Sequence, residues 1–474
     1  ATTEIYTLSL HDALPICYLK MKGNASVNSN NDVYLADEKY IEITDALTAT
    51  SSVATITPEN YTDGTTVLEA ESGVTLADEV GKFTVTPDGS TKYYISSDGK
   101  IFSTKPATQF TTVPTSGTTV GLATIDDFKK VAEWVGDSNE LSGVTLSLLS
   151  NVTLDSSFTP AGEYYSDYDV NNNGKVRKLF TGIFEGNNKT ITYDNASFTQ
   201  EYSGIFSGAK NATIQNLNLE GTLNVNANYA GCVIGHAEAC TVKNCSSSVT
   251  ITIESSLSGI GGIVGKAEGS YIYGQERERN CYILDCVNTS SIIADNGRYI
   301  GGIAGSASVC VIRNCINKGD ISGLKACGGI VGSTTLYGSD NYGSLIENCG
   351  NNGNITATSD YFSYEGSVGG IAGGPTADNE EWAPKINNCY SSGTITAQNN
   401  KAGGIFGYLI NRCSLSKCYY YNPSQACQDG NPASGSSKYT DVNNILNDMN
   451  SLNDSDSETY RKWKVSGSGV LEFE

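Results

Sequence analysis

Alternating carboxylate and amide side chains give the sequence one candidate metal site. Asp167, Asp169, Asn171 and Asn173 alternate along the chain and precede a glycine, as oxygen ligands do in a calcium-binding loop. The pattern is incomplete, because the twelfth residue counted from Asp169 is Phe180 rather than a bidentate glutamate. The segment therefore predicts either a calcium loop or an Asx-rich turn.

Tyrosine, tryptophan and carboxylate side chains cluster in three insertions of variable length. Aromatic rings pack well against sugar rings and neighbouring carboxylates accept hydrogen bonds, so such clusters suit a glycan or a protein ligand. Alternatively, these rings only cover the bases of their own loops. We assign a ligand-binding site to Tyr271, Tyr273, Tyr337, Tyr342, Glu380, Glu381 and Trp382. A second set of insertions carries Tyr299, Tyr361 and Tyr364.

Acid–base chemistry has few candidates in this chain. The two histidines, His11 and His236, are far apart in sequence and belong to no HExxH motif, which disfavours any reaction that needs a histidine pair. Polysaccharide lyases and glycoside hydrolases use clustered carboxylates instead. The acidic run at 378–381, with Lys385, is the candidate for that alternative. We assign no catalytic residue and expect a binding protein rather than an enzyme.

Cysteine recurs at two fixed positions of a sequence repeat. Leu217 stands at the first of these positions in the preceding repeat, so the thiols there are expected to fill an apolar slot as reduced side chains. Equivalent cysteines on stacked repeats would lie about 4.8 Å apart, so disulfides between repeats remain an alternative. No Cys-x2-Cys motif supports a zinc site. The first set is Cys245, Cys286, Cys315, Cys349, Cys389 and Cys418, and the second is Cys240, Cys281, Cys310 and Cys413.

Three short motifs make up each repeat. Gly-Gly-Ile-x-Gly begins at residues 261, 301, 328, 369 and 403. An apolar-x-Asn-Cys motif, with Asp or Lys in place of Asn in two cases, follows each copy and ends at Cys286, Cys315, Cys349, Cys389 and Cys418, and a further copy ends at Cys245. An apolar residue lies six positions after the cysteine, as at Ile321. The spacing predicts three strands per period. Because one such unit cannot bury its apolar side alone, successive units must stack with equivalent strands parallel.

The asparagine before the cysteine is expected to have a structural role. If the repeats stack in register, side-chain amides at this position would hydrogen-bond from one repeat to the next. Asp285 and Lys417 depart from the pattern. The predicted amide ladder comprises Asn216, Asn244, Asn314, Asn348 and Asn388.

With these motifs the chain resembles the GLUG repeat of bacterial surface and secreted proteins. The similarity covers roughly residues 123 to 474 and includes an opening segment at 180–188. This repeat is shared by adhesin-like proteins and by immunoglobulin-A-cleaving metallopeptidases, whose zinc motif has no match here. The resemblance implies a parallel β-helix and an extracytoplasmic bacterial setting, and it transfers no catalytic residue.

Composition divides the chain into four expected parts. Residues 1–16 resemble an adapter-derived, non-native segment, and residues 17–118 carry short strand patterns with Asp-Gly turns that predict a β-rich N-terminal domain. Residues 122–430 are expected to form a right-handed parallel β-helix, a solenoid, which begins with a capping helix at 124–135. Residues 431–474 are expected to form a C-terminal capping segment, with a helix near 440–452 and a strand at 463–465. The fold class is therefore all-β with short capping helices.

Charge narrows the range of partners. The chain has 30 basic and 51 acidic residues, a net charge of −21, so phosphate backbones and anionic lipids are unfavourable partners. No apolar stretch approaches the roughly 20 residues of a membrane-spanning helix. We expect an adhesin-like protein outside the cell or on its surface that binds a host or environmental glycan or a protein. No cofactor is expected apart from calcium at 167–173.

Overall fold

The computed structural model describes residues 19–27, 31–50, 52–166, 170–171, 173–253, 256–270, 281–334, 343–358, 367–375, 384–398, 402–407, 414–421 and 436–474. The chain divides into two compact units, Ala1–Val131 with Gly143–Val152, and Ala132–Ser142 with Thr153–Glu474. Strands dominate both units, which confirms the all-β class. Within the described ranges, no helix has the length and hydropathy to cross a membrane.

The first unit contains two small sheets of parallel strands. Its strand patterns alternate buried and exposed residues, as the sequence predicts, and the core includes Val33, Ile41, Ile43 and Ile56. An Asp-Gly turn joins the antiparallel pair Tyr94–Ile95 and Ile101–Phe102. The parallel sheets consist of Leu19–Gly23, Ile41–Leu47 and Leu68–Ala70, and of Asp32–Leu35, Ala54–Pro58 and Phe83–Val85.

The predicted helix at 124–135 is confirmed as Ile125–Gly136. The Asp127 carboxylate accepts hydrogen bonds from the backbone N–H groups of Ala123, at 2.9 Å, and Thr124, at 3.1 Å, so it caps the start of the helix. The remaining elements between residues 76 and 154 are the short helices Leu76–Glu79, Val80–Lys82 and Ala107–Gln109, and the strands Thr119–Leu122, Thr145–Leu148 and Val152–Leu154.

The second unit contains a sheet of six parallel strands, one from each of six successive repeats. Pairing is in register, so that Ala237, Ala267 and Ala307 follow one another across the sheet. The strands are Phe206–Lys210, Ile234–Glu238, Val264–Glu268, Ala304–Ser308, Val331–Thr334 and Ala372–Pro375.

A larger parallel sheet holds the remaining repeat strands. Those that carry or precede the Asn-Cys motif are Ile183–Glu185, Thr213–Val225, Thr241–Ile253, Cys281–Leu284, Cys310–Arg313, Leu345–Glu347, Lys385–Asn387 and Ser414–Ser416. Those that follow it are Thr190–Phe198, Val287–Asn288, Ile316–Asn317, Gly350–Asn351, Tyr390–Ser391, Cys418–Tyr420 and Ser436–Lys438. The third motif lies in Ile292–Gly301, Ile321–Gly328, Ile355–Ala357 and Ile395–Ala397, and strands before Gly-Gly-Ile include Ser258–Gly261, Val368–Gly369 and Ala402–Gly403.

The prediction of three strands per period is wrong for the middle repeats, which have four. The repeat that begins at Cys310 runs through Cys310–Arg313, Ile316–Asn317, Ile321–Gly328 and Val331–Thr334. Asn314 has a φ of 55°, and this left-handed residue divides the predicted second strand into two. Asparagine tolerates this conformation better than most residues, which explains its recurrence at the corner.

The glycine pair of the Gly-Gly-Ile motif permits close backbone contact between repeats. A Cβ atom on Gly302 would lie 2.3 Å from the carbonyl oxygen of Gly329 and 2.5 Å from the side chain of Asn317. The isoleucine after the pair is fully buried, and the backbone N–H of Ile303 donates to the carbonyl of Ile330 at 3.1 Å. The glycines are therefore needed because a side chain would collide with the next repeat, and the isoleucines of successive repeats are buried next to one another.

The amide ladder is confirmed. Asn388 Nδ2 donates to Asn348 Oδ1 at 2.8 Å, and Asn348 Nδ2 donates to Asn314 Oδ1 at 2.8 Å. Asn314 in turn donates to Asp285 Oδ1 at 3.1 Å, so the aspartate is accommodated as an acceptor. The Asn216 and Asn244 side chains form a separate step at 2.7 Å.

A second, fully buried amide column lies two residues after the cysteines. Asn288 Nδ2 donates to Asn317 Oδ1, and Asn317 Nδ2 donates to Asn351 Oδ1, both at 2.8 Å. Each of these amides also donates to a backbone carbonyl two residues ahead in its own repeat, as Asn317 does to Gly319 at 2.8 Å. This column was not predicted from the sequence, although an asparagine recurs two positions after Cys286, Cys315 and Cys349.

The C-terminal segment packs along the last repeats. The helix Asn443–Ser455 and the strand Trp463–Val465 confirm both predicted elements, and Trp463–Val465 pairs antiparallel with Leu471–Phe473. The buried ring of Trp463 lies 5.2 Å from that of Tyr390, and its Nε1 donates to Asn348 Oδ1 at 2.6 Å. The amide ladder is thereby continued into the C-terminal segment.

All cysteines in the described residues are buried, as predicted for the repeat positions, and none of them forms a disulfide. Cys240 and Cys245 are both buried although five positions separate them, because Cys240 precedes the strand Thr241–Ile253 and the left-handed Asn244, with a φ of 51°, lies between the two. Leu217 is the register partner of Cys245, in agreement with an apolar slot.

Candidate functional site

The three predicted insertions leave the repeat at one equivalent corner. In other repeats this corner is a single left-handed residue after a strand of the six-stranded sheet, namely Asn211, Ala239 or Val309, with φ of 52°, 53° and 54°. In three repeats an insertion replaces it. We call this the insertion edge, defined by the chain between Glu268 and Cys281, between Thr334 and Leu345, and between Pro375 and Lys385.

Strand order sets the spacing along the insertion edge. Val264–Glu268 and Val331–Thr334 are separated by one strand, and Val331–Thr334 is the direct neighbour of Ala372–Pro375. With about 4.8 Å between neighbouring strands, the outer two insertion bases lie about 14 Å apart. The three insertions therefore begin within the length of a short oligosaccharide or an extended peptide.

A row of described side chains flanks this edge on the larger sheet. Tyr282, Val311, Leu345 and Lys385 are register partners on four adjacent strands. Tyr282 is 36% exposed and Lys385 is exposed, whereas Val311 is 6% exposed. Lys385 was a candidate for the lyase or hydrolase alternative, whereas Tyr282, Val311 and Leu345 were not among the predicted site residues. The available sequence signal was their shared position just before the apolar residue of each apolar-x-Asn-Cys motif.

An ionic cluster lies on the other side of the edge, where the first insertion begins. Glu268 is the last residue of its strand, and its Oε2 lies 2.8 Å from Lys266 Nζ and 3.2 Å from His236 Nε2. His236 is fully buried, and its Nδ1 has no hydrogen-bond partner among the described residues. Glu238, the register partner of Glu268, pairs with Lys210 at 2.7 Å.

Tyrosine rings enclose the histidine of this cluster. The rings of Tyr164 and His236 are 3.9 Å apart between centroids, and Tyr202 lies 5.7 Å from His236. Tyr202 stacks on Tyr229 at 5.0 Å with an interplanar angle of 8°. The guanidinium of Arg177 lies 4.5 Å from the centre of the Tyr164 ring. These contacts hold the imidazole in a closed aromatic environment.

The electrostatics favour fixed charges over proton transfer. Burial lowers the pKa of His236, even though the Glu268 carboxylate opposes the shift, so the imidazole is neutral near pH 7. Burial by itself would raise the pKa of Glu268, but its hydrogen bond to His236 and the charge of Lys266 outweigh burial and lower this pKa strongly. Glu268 is therefore an ionised acceptor that can orient a ligand group and cannot supply a proton at neutral pH.

Most of the sequence-predicted site residues fall outside the described residues. Asn171 and Asn173 are described, are exposed and lie in helical backbone. Because their proposed partners Asp167 and Asp169 are not described, the calcium loop stays a prediction. The same holds for the ligand-binding assignments to Tyr271, Tyr273, Tyr337, Tyr342, Glu380, Glu381 and Trp382, whose insertion points alone are defined.

Comparison with known proteins does not assign the chain to a family. No protein-family model matches it. Curated proteins give no match either. A solved structure of a candidate immunoglobulin A1 protease from Bacteroides ovatus aligns with 76% of this chain and 93% of that chain, with a TM-score of 0.46 and 18% sequence identity. An alignment at this level identifies neither a family nor an activity.

Proposed function

We infer that this chain is an adhesin-like binding protein of the bacterial cell surface or extracellular space. In this proposal the repeats form a right-handed parallel β-helix of the GLUG type, and the insertions on one edge bind a glycan or a protein. The observation that carries the proposal is the common insertion edge, where three insertions rich in aromatic and acidic residues replace one equivalent corner.

The regularity of the scaffold supports a division between framework and binding surface. Amide ladders, glycine contacts and buried isoleucines repeat with little change from one repeat to the next. Insertions at the edge differ in length and in sequence, as expected when a repeat framework presents ligand-specific loops. The exposed ring of Tyr282 adds an aromatic surface beside the first insertion.

The alternative of a polysaccharide lyase or glycoside hydrolase gains no support from the described part of the edge. A glycoside hydrolase needs one carboxyl group that is protonated at working pH. Glu268 is the carboxylate that the structure places at the base of the first insertion, and its lowered pKa is the opposite of this requirement.

The central experiment is a binding screen with the full chain and one triple variant. Immobilised glycans and extracellular-matrix proteins are probed with the parent and with the variant Tyr273→Ala, Tyr342→Ala and Trp382→Ala. We expect the triple variant to lose ligand binding with little change in melting temperature, because the substitutions lie in insertions between the repeat strands and leave the repeat motifs themselves unchanged. Reducing ends and unsaturated products are measured on the same polysaccharides, and their appearance would favour the enzyme alternative.

A matched control separates the two sets of insertions. The variant Tyr361→Ala with Tyr364→Ala removes tyrosines from the second set and should bind like the parent. Unchanged binding by the triple variant, together with lost binding by the control, would move the site to the second set of insertions.

A further inference from the structure

A cavity of about 300 Å³ lies in the first unit, in a part of the chain that the insertion edge does not include. Its walls come from the sheet strand Phe83–Val85 and from the hairpin strand Tyr94–Ile95 with the residues just before it. A cavity of this size is at the lower end for small-molecule sites, so it suits a single ring rather than a large ligand. It is lined by Phe83, Thr84, Val85, Pro87, Lys92, Tyr93, Tyr94, Ile95 and Gln109.

Aromatic side chains form much of this wall, and their positions are fixed by neighbours. The Tyr93 ring packs against Tyr61 with 5.1 Å between ring centroids. Gln109 Nε2 donates to the backbone carbonyl of Ile95 at 2.9 Å, which leaves the amide oxygen of Gln109 available to accept a hydrogen bond. The cavity thus combines flat aromatic rings with the polar amide of Gln109.

One lysine lines this cavity, a second lies over the ring of the lining residue Tyr94, and neither forms an ion pair with a carboxylate among the described residues. Lys92 is one of its lining residues, and Lys105 Nζ lies 5.9 Å from the centre of the Tyr94 ring and 4.5 Å from that of Phe110. Four lysines of the same unit do form ion pairs with carboxylates, namely Lys20, Lys82, Lys100 and Lys129.

Unpaired cations beside an aromatic cavity are unexpected in a chain with a net charge of −21. Burial raises the pKa of Tyr61, and the carboxylates of Asp88 and Asp32 raise this pKa further. Neither of these carboxylates lines the cavity. Positive charge at the wall therefore favours an anionic ligand.

We propose that this cavity binds a pyranose sugar that carries a carboxylate. The apolar face of the ring packs on the tyrosine rings of the wall, the carboxylate pairs with Lys92 and Lys105, and ring hydroxyls hydrogen-bond to the amide of Gln109. This class satisfies the three features together, since a neutral sugar leaves the ammonium groups unpaired and a simple organic anion leaves the Gln109 amide unused.

The test uses the full chain and ligand-observed NMR with titration. Glucuronate is the probe, glucose is its neutral match, and benzoate is an aromatic carboxylate without hydroxyl groups. We expect glucuronate to bind, glucose and benzoate to bind at least about tenfold more weakly, and higher salt to weaken glucuronate binding. Lys92→Met and Lys105→Met should each lower glucuronate affinity about tenfold, because each removes a charge-assisted hydrogen bond.

Lys100→Met is the matched control, because Lys100 pairs with Asp98 at 2.5 Å and does not line the cavity. It should bind glucuronate like the parent. The proposal is overturned if glucuronate does not bind at millimolar concentration, if benzoate binds as well as glucuronate, or if both lysine variants retain parent affinity. The triple variant of the insertion edge should keep glucuronate binding, which separates this site from the function proposed above.

Discussion

Asn348 is the residue at which the amide ladder and the C-terminal segment meet. Its Nδ2 donates to Asn314 Oδ1 at 2.8 Å and to the carbonyl of Arg461 at 2.9 Å. Its Oδ1 accepts from Asn388 at 2.8 Å and from the Trp463 indole at 2.6 Å. The side chain is 1% exposed and the backbone φ is 50°, so no water can replace these bonds without rearrangement.

We predict that Asn348→Ala lowers the free energy of unfolding of the repeat region by about 3 kcal/mol or more, because buried amide and indole groups lose their partners. Chemical denaturation followed by tryptophan fluorescence measures the change. Asn195→Ala is the matched control, since Asn195 also has a φ of 50° but is exposed and outside the ladder. A similar loss in both variants would assign the effect to backbone conformation instead of hydrogen bonding.

His236 is the residue whose ionisation should affect stability most directly. Burial lowers the pKa of His236 in the folded state. The charged groups that face the imidazole or its tyrosine neighbours are Glu268, Lys266, Glu238 and Arg177. A depressed pKa means that the unfolded chain takes up a proton at higher pH than the folded chain. The stabilising effect is therefore present above about pH 6.5 and is lost as the pH falls below it.

We predict that the free energy of unfolding decreases by up to about 1.4 kcal/mol per pH unit as the pH is lowered from 6.5 to 5.5, because one extra proton is bound on unfolding. His236→Gln should be less stable at pH 8 but should lack this part of the slope. Denaturation midpoints at half-unit steps from pH 5.5 to 8 give the comparison. If His236→Gln retains the parent slope, other groups cause the pH dependence.

At the scale of the element, the Gly-Gly-Ile corner is limited by steric contact. We predict that Gly302→Ala destabilises the repeat region by about 2–3 kcal/mol, because a Cβ would lie 2.3 Å from the carbonyl oxygen of Gly329 on the next repeat. Thermal unfolding followed by circular dichroism measures the loss. Gly467→Ala is the control, since a Cβ at that position would have no neighbouring atom within 4 Å, and its melting temperature should be nearly that of the parent.

At the scale of the whole molecule, the buried thiols extend over most of the repeats. We predict that Cys245, Cys286, Cys315, Cys349, Cys389 and Cys418 are mostly reduced in the purified protein, since each is buried at a position that also accepts leucine. Thiol titration in denaturant, with and without prior reduction, counts them. Recovery of most of these thiols only after reduction would instead establish disulfides between neighbouring repeats.

Much of the repeat framework could be predicted from the sequence because its causes are local and periodic. The motif spacing correctly placed Asn314, Asn348 and Asn388 in one hydrogen-bonded column and the repeat cysteines in the core. The helix Ile125–Gly136 was predicted for the same local reason, since the interaction of Asp127 that caps it involves residues three or four positions apart.

Other features depended on which residues meet across the fold. The sequence pattern by itself determined that equivalent strands stack in parallel, since a repeating apolar pattern can be buried only against its own copies. Tertiary structure alone placed Tyr282 beside the insertion edge, enclosed His236 with Tyr164 and Tyr202, and brought Lys105 over the ring of Tyr94. These neighbours come from segments with no shared period, so their contacts follow from how the chain packs and not from any spacing along it.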